Sequence, residues 1–207
     1  MEICEQTITA CLGESCEHIP TPGIEQYAWI FNKQDIESFN WDEPTRPNTS
    51  TGLTLKEDAV GYQIMNVGQS FNGTQSEATV DDYGTSWTDT FVFAAPKSIA
   101  NSLQIEKIAN GKFVVVIETS YEGADGDSQF QILGAKHGLK LSAGTLNPYG
   151  DSKGRYSITL TAENEPMSAR YLQHVDGDSK IDTKAYLNSL ASCNSEPEPE
   201  PEPDEEE

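Results

Sequence analysis

Residues 112–120 read KFVVVIETS, and residues 86–96 read SWTDTFVFAAP. The first stretch is a continuous run of apolar, largely β-branched residues, the pattern of a central strand buried on both faces. The second alternates. Trp87, Asp89, Phe91 and Phe93 fall on one face, Thr88, Thr90 and Val92 on the other, and Pro96 ends the run. Between them, Ser98 stands as an N-cap, IANSLQIEKIAN as about three helical turns, and Gly111 as the residue after the helix, which predicts a helix over about 98–110. Its apolar residues, Ile99, Leu103, Ile105 and Ile108, spread over more than one face. The helix is therefore expected to pack on two sides or to be short and distorted.

Downstream, QFQILGAKHGLKLSAG (129–144) reads as one strand with Gly134 and Gly138 marking bulges or a bend. TLNPYGDSKG (145–154) is a loop, RYSITLTAE (155–163) alternates strictly, and ARYLQHV (169–175) is a short strand. Asp182 or Thr183 can cap a final helix, KAYLNSLAS (184–192). Upstream, YAWIFN (27–32) reads as a strand, DIESFNW (35–41) follows it, and residues 42–47 break the pattern. TGLTLKEDAVGYQIMNVG (51–68) alternates in part, and SFNGTQSEATVDDYGTS (70–86) is a hairpin or a long loop. Strands and helices do not alternate, which argues against a doubly wound sheet or a TIM barrel. The expected fold is mainly β, an antiparallel β-sandwich or barrel with one packed α-helix at about 98–110 and a short C-terminal helix. The chain divides into an N-terminal Cys-containing arm (1–26), a β-rich domain (27–192) with a long loop at 40–86, and a Glu/Pro tail (193–207) expected to be disordered.

The chain has 207 residues, with 34 acids against 13 Lys and Arg, a formal net charge of −21. Residues 196–207 hold eight of the acids and no base; the remainder still carries 26 acids against 13 bases. Such a field repels phosphates, so sequence-specific nucleic-acid binding and adhesion to an anionic membrane are not expected. No window approaches 18 consecutive apolar residues, and the first twenty lack the basic and apolar regions of a signal peptide.

There is no G-x-S-x-G elbow and no Gly-rich phosphate loop. Cys4, Cys11 and Cys16 with His18 have the spacing C-x6-C-x4-C-x-H, a weak match to a zinc site. Reduced thiols or a disulfide remain the alternatives for these three and Cys193. His137 reads as a strand residue and His174 as a surface neighbour of Asp176. Residues 176–182 depart from the EF-hand pattern at Lys180 and Ile181, and Asp125 and Asp127 read as a solvated turn. No catalytic residue, cofactor or metal is therefore assigned. The aromatic residues Phe39, Trp41, Phe71, Tyr83 and Trp87, in or beside polar loops, are the candidate assembly or surface contacts.

The order WTDTFVFAAPKSIANSLQIEKIANGKFVVVIET, then QFQILGAKHGLKLSAGTLNPYGDSKGRYSITLTAENEP, resembles major tail or tail-tube proteins of bacteriophages that infect gut anaerobes. The residues that carry the likeness are Phe130, Ile132, Gly134, Gly138, Leu139, Leu141, Tyr156, Ile158, Leu160 and Pro166, together with the run from Tyr27 to Ile36. The resemblance implies a non-enzymatic virion protein, made in the host bacterial cytoplasm. It implies homo-oligomeric rings, hexameric in such proteins, that stack into a tube with an acidic lumen for DNA and contact other virion proteins. A head decoration or head–tail connector protein is the alternative within that class. A carbohydrate- or cell-surface-binding module with Trp41, Phe71, Tyr83 and Trp87 as its platform is the alternative outside it, and a small hydrolase ranks last.

Overall fold

The computed structural model describes residues 22–42, 45–66, 68–81, 84–123, 127–146, 154–175 and 179–192. The cysteines, His18, Tyr83, Asp125, Asp176 and the Glu/Pro tail lie outside them. Among the described residues, eleven strands form two sheets. The larger has the order β2 (Ile36–Asp42), β3 (Arg46–Leu55), β11 (Arg170–Leu172), β8 (Phe130–Leu133), β7 (Phe113–Thr119), β1 (Ile24–Asn32), β4 (Tyr62–Met65). The smaller has the order β5 (Gln75–Asp81), β6 (Gly84–Pro96), β10 (Arg155–Glu165), β9 (Lys140–Leu146). The mainly β, two-sheet architecture expected from sequence is the one observed. The pairs are antiparallel except β3 with β11, which run parallel.

Strand β7 shows why KFVVVIETS lacks alternation. Phe113, Val115 and Ile117 face the smaller sheet, and Val114 and Val116 face the opposite side. Strand β1 is split the same way, with Ala28 and Ile30 inward and Trp29 and Phe31 outward. The large sheet is thus a middle layer with a core on each face. One core, completed by Phe71, Phe91, Phe93, Leu133, Leu139, Ile158 and Leu160, glues the two sheets together. The other is roofed by α2 (Ser179–Ser189) through Leu187, with Leu53, Phe130, Ile132 and Leu172 beneath it. Among the hydrogen bonds that pin α2 to the sheet, Trp29 Nε1 donates to Asn188 Oδ1 at 3.1 Å, the Tyr186 hydroxyl accepts from Leu53 N at 2.9 Å, and Lys184 Nζ donates to Glu118 at 2.8 Å.

Both helices pack, α2 more fully than α1 (Ile99–Ile108), and three expectations need correction. Helix α1 has its Ser98 cap, accepting from Asn101 N at 3.1 Å, but buries no residue completely. Only Ile105 and Ile108 reach the core rim, while Ile99 (85% exposed) and Leu103 (55%) face solvent, because apolar residues spread around a helix give it no single face to bury. The long loop at 40–86 is instead β3, β4, β5 and the start of β6, with the hairpin reading of its second half realised in β5 and β6. The segment 129–144 is two strands in different sheets. Gly134 (φ +70°) and Gly138 (φ +78°) turn the chain from β8 over to β9, and a Cβ on Gly134 would sit 2.8 Å from Leu139 N. His137 therefore lies on an exposed turn and not in a strand. Finally, α2 begins before Asp182 and Thr183, and the Thr183 hydroxyl donates to His174 O and accepts from His174 N.

Candidate functional site

The turn at 134–138 is held by two buried carboxylates, Asp89 and Glu165, each 2% exposed. Asp89 follows from the alternation of β6: it takes an inward position beside Phe91 and Phe93. It accepts from Gly134 N at 2.9 Å and from the Ser76 hydroxyl at 2.6 Å. Ser76 in turn accepts from Ala169 N at 3.0 Å, which ties β5 to the entry of β11. Glu165 returns to an inward position because β10 bulges between Ala162 and Glu165, with Asn164 at φ +61°. Its oxygens accept from Lys136 N at 3.0 Å and His137 N at 2.7 Å. The carboxylate on which these successive backbone N–H groups converge takes the place an anion occupies in a backbone nest. Burial holds the Asp89 carboxyl above its ordinary range, against the hydrogen bonds from Gly134 and Ser76, with Glu165 pushing it further up and Arg170 drawing it down.

Cations surround this turn. Lys33 donates from Nζ to Ala135 O at 2.6 Å. Burial lowers its pKa, the Glu165 charge raises it, and the Lys136 and Arg170 charges lower it. Phe39 and Trp41 in β2 stack at 5.1 Å between ring centroids. Lys33 Nζ stands 5.3 Å from the Phe39 centroid, and the Arg170 guanidinium 4.4 Å from that of Trp41.

The sequence-derived contact residues separate accordingly. Phe39 and Trp41 come together. Phe71 does not join them: it is buried between the sheets, 5.3 Å from Phe91. Trp87 lies on the other sheet, paired with Ala78 and Glu165. The proposed sugar platform of Trp41, Phe71 and Trp87 is therefore not assembled on one surface, and Arg170 covers the Trp41 ring. His174, read as a surface residue, is half-buried; its ring stacks on Tyr186 at 4.0 Å, and Nδ1 lies 3.0 Å from Thr51 O. Sequence reasoning missed Lys33, Glu165 and Arg170. The one available signal was Asp89, an acid on an otherwise aromatic face.

Two surfaces are unusual for a sandwich. In β5, Glu77, Ala78, Thr79 and Val80 are all exposed, and in β9 all residues from Ser142 to Leu146 are. A strand lying on a core alternates buried and exposed positions; these are open on both faces. Strand β10 pairs with β6 only from Trp87 to Pro96, so Thr79, Val80 and Asp81 pair with Ser86, Thr85 and Gly84 in a two-stranded ribbon standing clear of the sheet. Val80 is 76% exposed. Exposed Ile99 and Leu103 of α1 follow the far end of β6, where Ala95 pairs with Tyr156 and Tyr156 with Leu146.

Between the sheets, an open cleft of about 570 Å³ is lined by Phe71, Ile117 and Leu133 together with Asn66, Asn72 and Gln131. Among the described residues no group of three or more His, Cys, Asp and Glu is placed to hold a metal ion, and no helix is long and apolar enough to cross a membrane. No family model, no curated protein and no solved structure matches the chain.

Proposed function

We propose that this chain is a non-enzymatic structural subunit that assembles with copies of itself, as the tail-tube protein of a bacteriophage particle. The observation that supports assembly is the exposure of β5 and β9 on both faces. A two-stranded ribbon is marginal alone in water, and an open edge is a template for pairing. In the proposed assembly, the β5–β6 ribbon of one subunit lies against β9 and the exposed apolar side of α1 in the next. That contact is heterologous, and it closes into a ring when the rotation per subunit divides the circle. Support for the tail-tube assignment is the sequence resemblance and the charge: an acidic wall repels the phosphates of DNA passing through it.

The test is light-scattering mass after size exclusion, for the natural chain and for Val80→Lys. The natural chain is expected to elute as a defined multiple of 22.7 kDa, and Val80→Lys as the monomer. A natural chain that stays at the monomer mass at every concentration refutes self-assembly. A ring that never stacks into tubes moves the assignment to a head decoration or connector protein.

A further inference from the structure

In a chain with 13 Lys and Arg and a net charge of −21, five of the bases meet around one turn. The stems of Lys33 and Lys112 flank Gly138: a Cβ there would lie 3.4 Å from Lys33 Cγ and 3.3 Å from Lys112 Cβ. Phe113 and Leu139 exchange both backbone hydrogen bonds, at 2.7 and 2.8 Å, so the flanking Lys112 and Lys140 stand opposite one another. Lys136 is on the turn itself, and Arg170 is near enough for its charge, with that of Lys136, to act on Lys33. Lys112, Lys136 and Lys140 are exposed. Among the described residues none of the five forms an ion pair. Two acids beside the patch are already engaged. Glu165 is bound by the amides of Lys136 and His137, and Asp35 accepts from Asn32 Nδ2 at 2.7 Å.

The described part of the chain ends close to this patch. Gly61 donates to Leu190 O at 2.7 Å and accepts from Ser192 N at 3.0 Å, and it packs on the Phe31 ring. Phe31 lies two residues before Lys33, the residue that follows β1. Residues 193–207 follow, with eight acids in the last twelve positions and Glu alternating with Pro from Glu196 to Glu202. A Pro-rich chain of that length, at about 3.1 Å per residue, has a reach of roughly 45 Å.

We propose that residues 196–207 dock, within the same chain, on the Lys33–Lys112–Lys136–Lys140–Arg170 patch. The acidic segment and the basic patch complement one another, and the short connection makes the encounter intramolecular and therefore concentrated. The tail then covers the main cationic surface of the described fold, and any acidic surface of another subunit must displace it. The inference holds whether or not the chain is a tail-tube protein.

The test uses the full chain, treated with a zero-length carbodiimide that joins carboxylates to lysines, followed by peptide mass spectrometry of the monomer fraction. An equal mixture of ordinary and ¹⁵N-labelled protein separates links within a chain from links between chains. Links from residues 196–207 are expected to favour Lys112, Lys136 and Lys140 over exposed Lys97 by roughly threefold or more. They should fall away at 1 M salt, where the screening length is about 3 Å. The triple variant Lys112→Gln, Lys136→Gln, Lys140→Gln provides a second readout: the tail amides, followed by NMR in the full chain, should shift to the positions the natural chain shows at high salt. Links spread evenly over exposed lysines, links only between differently labelled chains, or tail resonances unmoved by salt and by the triple variant would each overturn the proposal.

Discussion

Truncating Asp89 to alanine removes a buried acceptor on which two donors converge. Gly134 N, at 2.9 Å, is left without its partner in a buried turn, and the Ser76 hydroxyl loses its 2.6 Å acceptor. A stranded buried donor costs about 1–3 kcal/mol, and a lost hydrogen bond to a charged group a comparable amount. Removing a desolvated charge offsets part of this, so the net loss is about 3 kcal/mol. For a domain of this size that lowers Tm by roughly 6–12 °C. The isosteric Asp89→Asn keeps an oxygen for Gly134 N and discards the charge, and it should cost under about 1.5 kcal/mol. The two variants also differ from the natural chain in pH dependence. Burial raises the Asp89 pKa above its ordinary 3.8. The folded state therefore binds the Asp89 proton more tightly than the unfolded state does. That contribution is complete below pH 3.8 and is lost as pH rises through the folded pKa. Urea unfolding of the natural chain and Asp89→Asn, followed from below pH 4 upward, should show the natural chain losing ground to the variant as pH rises. A loss under about 1 kcal/mol for Asp89→Ala, or a difference that moves the other way with pH, would show that the buried Asp89 carboxyl does not hold this turn.

Other substitutions probe separate links. Phe71→Ala should cost about 3–5 kcal/mol in chemical denaturation, as for a core ring and unlike a surface contact. Gly61→Ala would place its Cβ 2.3 Å from Phe31 Cε1 and should cost about 1–3 kcal/mol by loosening the bridge to Ala191, read as faster hydrogen exchange of the last turn of α2. Arg170→Lys keeps a charge but loses the planar stack on Trp41; it should cost about 0.5–1 kcal/mol and change Trp fluorescence. Val80→Lys should leave unfolding within about 0.5 kcal/mol of the natural chain while abolishing assembly.

Much of the fold is legible in local pattern. The unbroken FVVVIE run marks a strand with a core on both faces, and the alternations of 87–93 and 156–160 mark strands covered on one. Where local pattern fails, a longer-range cause is visible. The Gly134–Gly138 turn preserves an apolar rhythm across a change of sheet, so two strands read as one. Strand β3 carries Pro47 and Gly52 and pairs with β2 through three register shifts, which hides it among polar residues. The parallel pairing of β3 with β11 joins segments more than a hundred residues apart and leaves no local trace. The polar turn is legible only in part. Asp89 stands out on its strand, but Glu165 reaches the same turn through a bulge, and Lys33 and Arg170 arrive from distant strands. The two-sided exposure of β5 and β9 is invisible in sequence, because polar strands read as loops.

If a neighbouring copy covers β5 and β9, backbone hydrogen exchange of residues 77–81 and 142–146 slows when dilute protein is concentrated. Protection of both segments should rise together with the appearance of oligomers, while that of β7 is unchanged. Protection that is the same at both concentrations, in a sample shown to be oligomeric, would contradict this covering of the two strands.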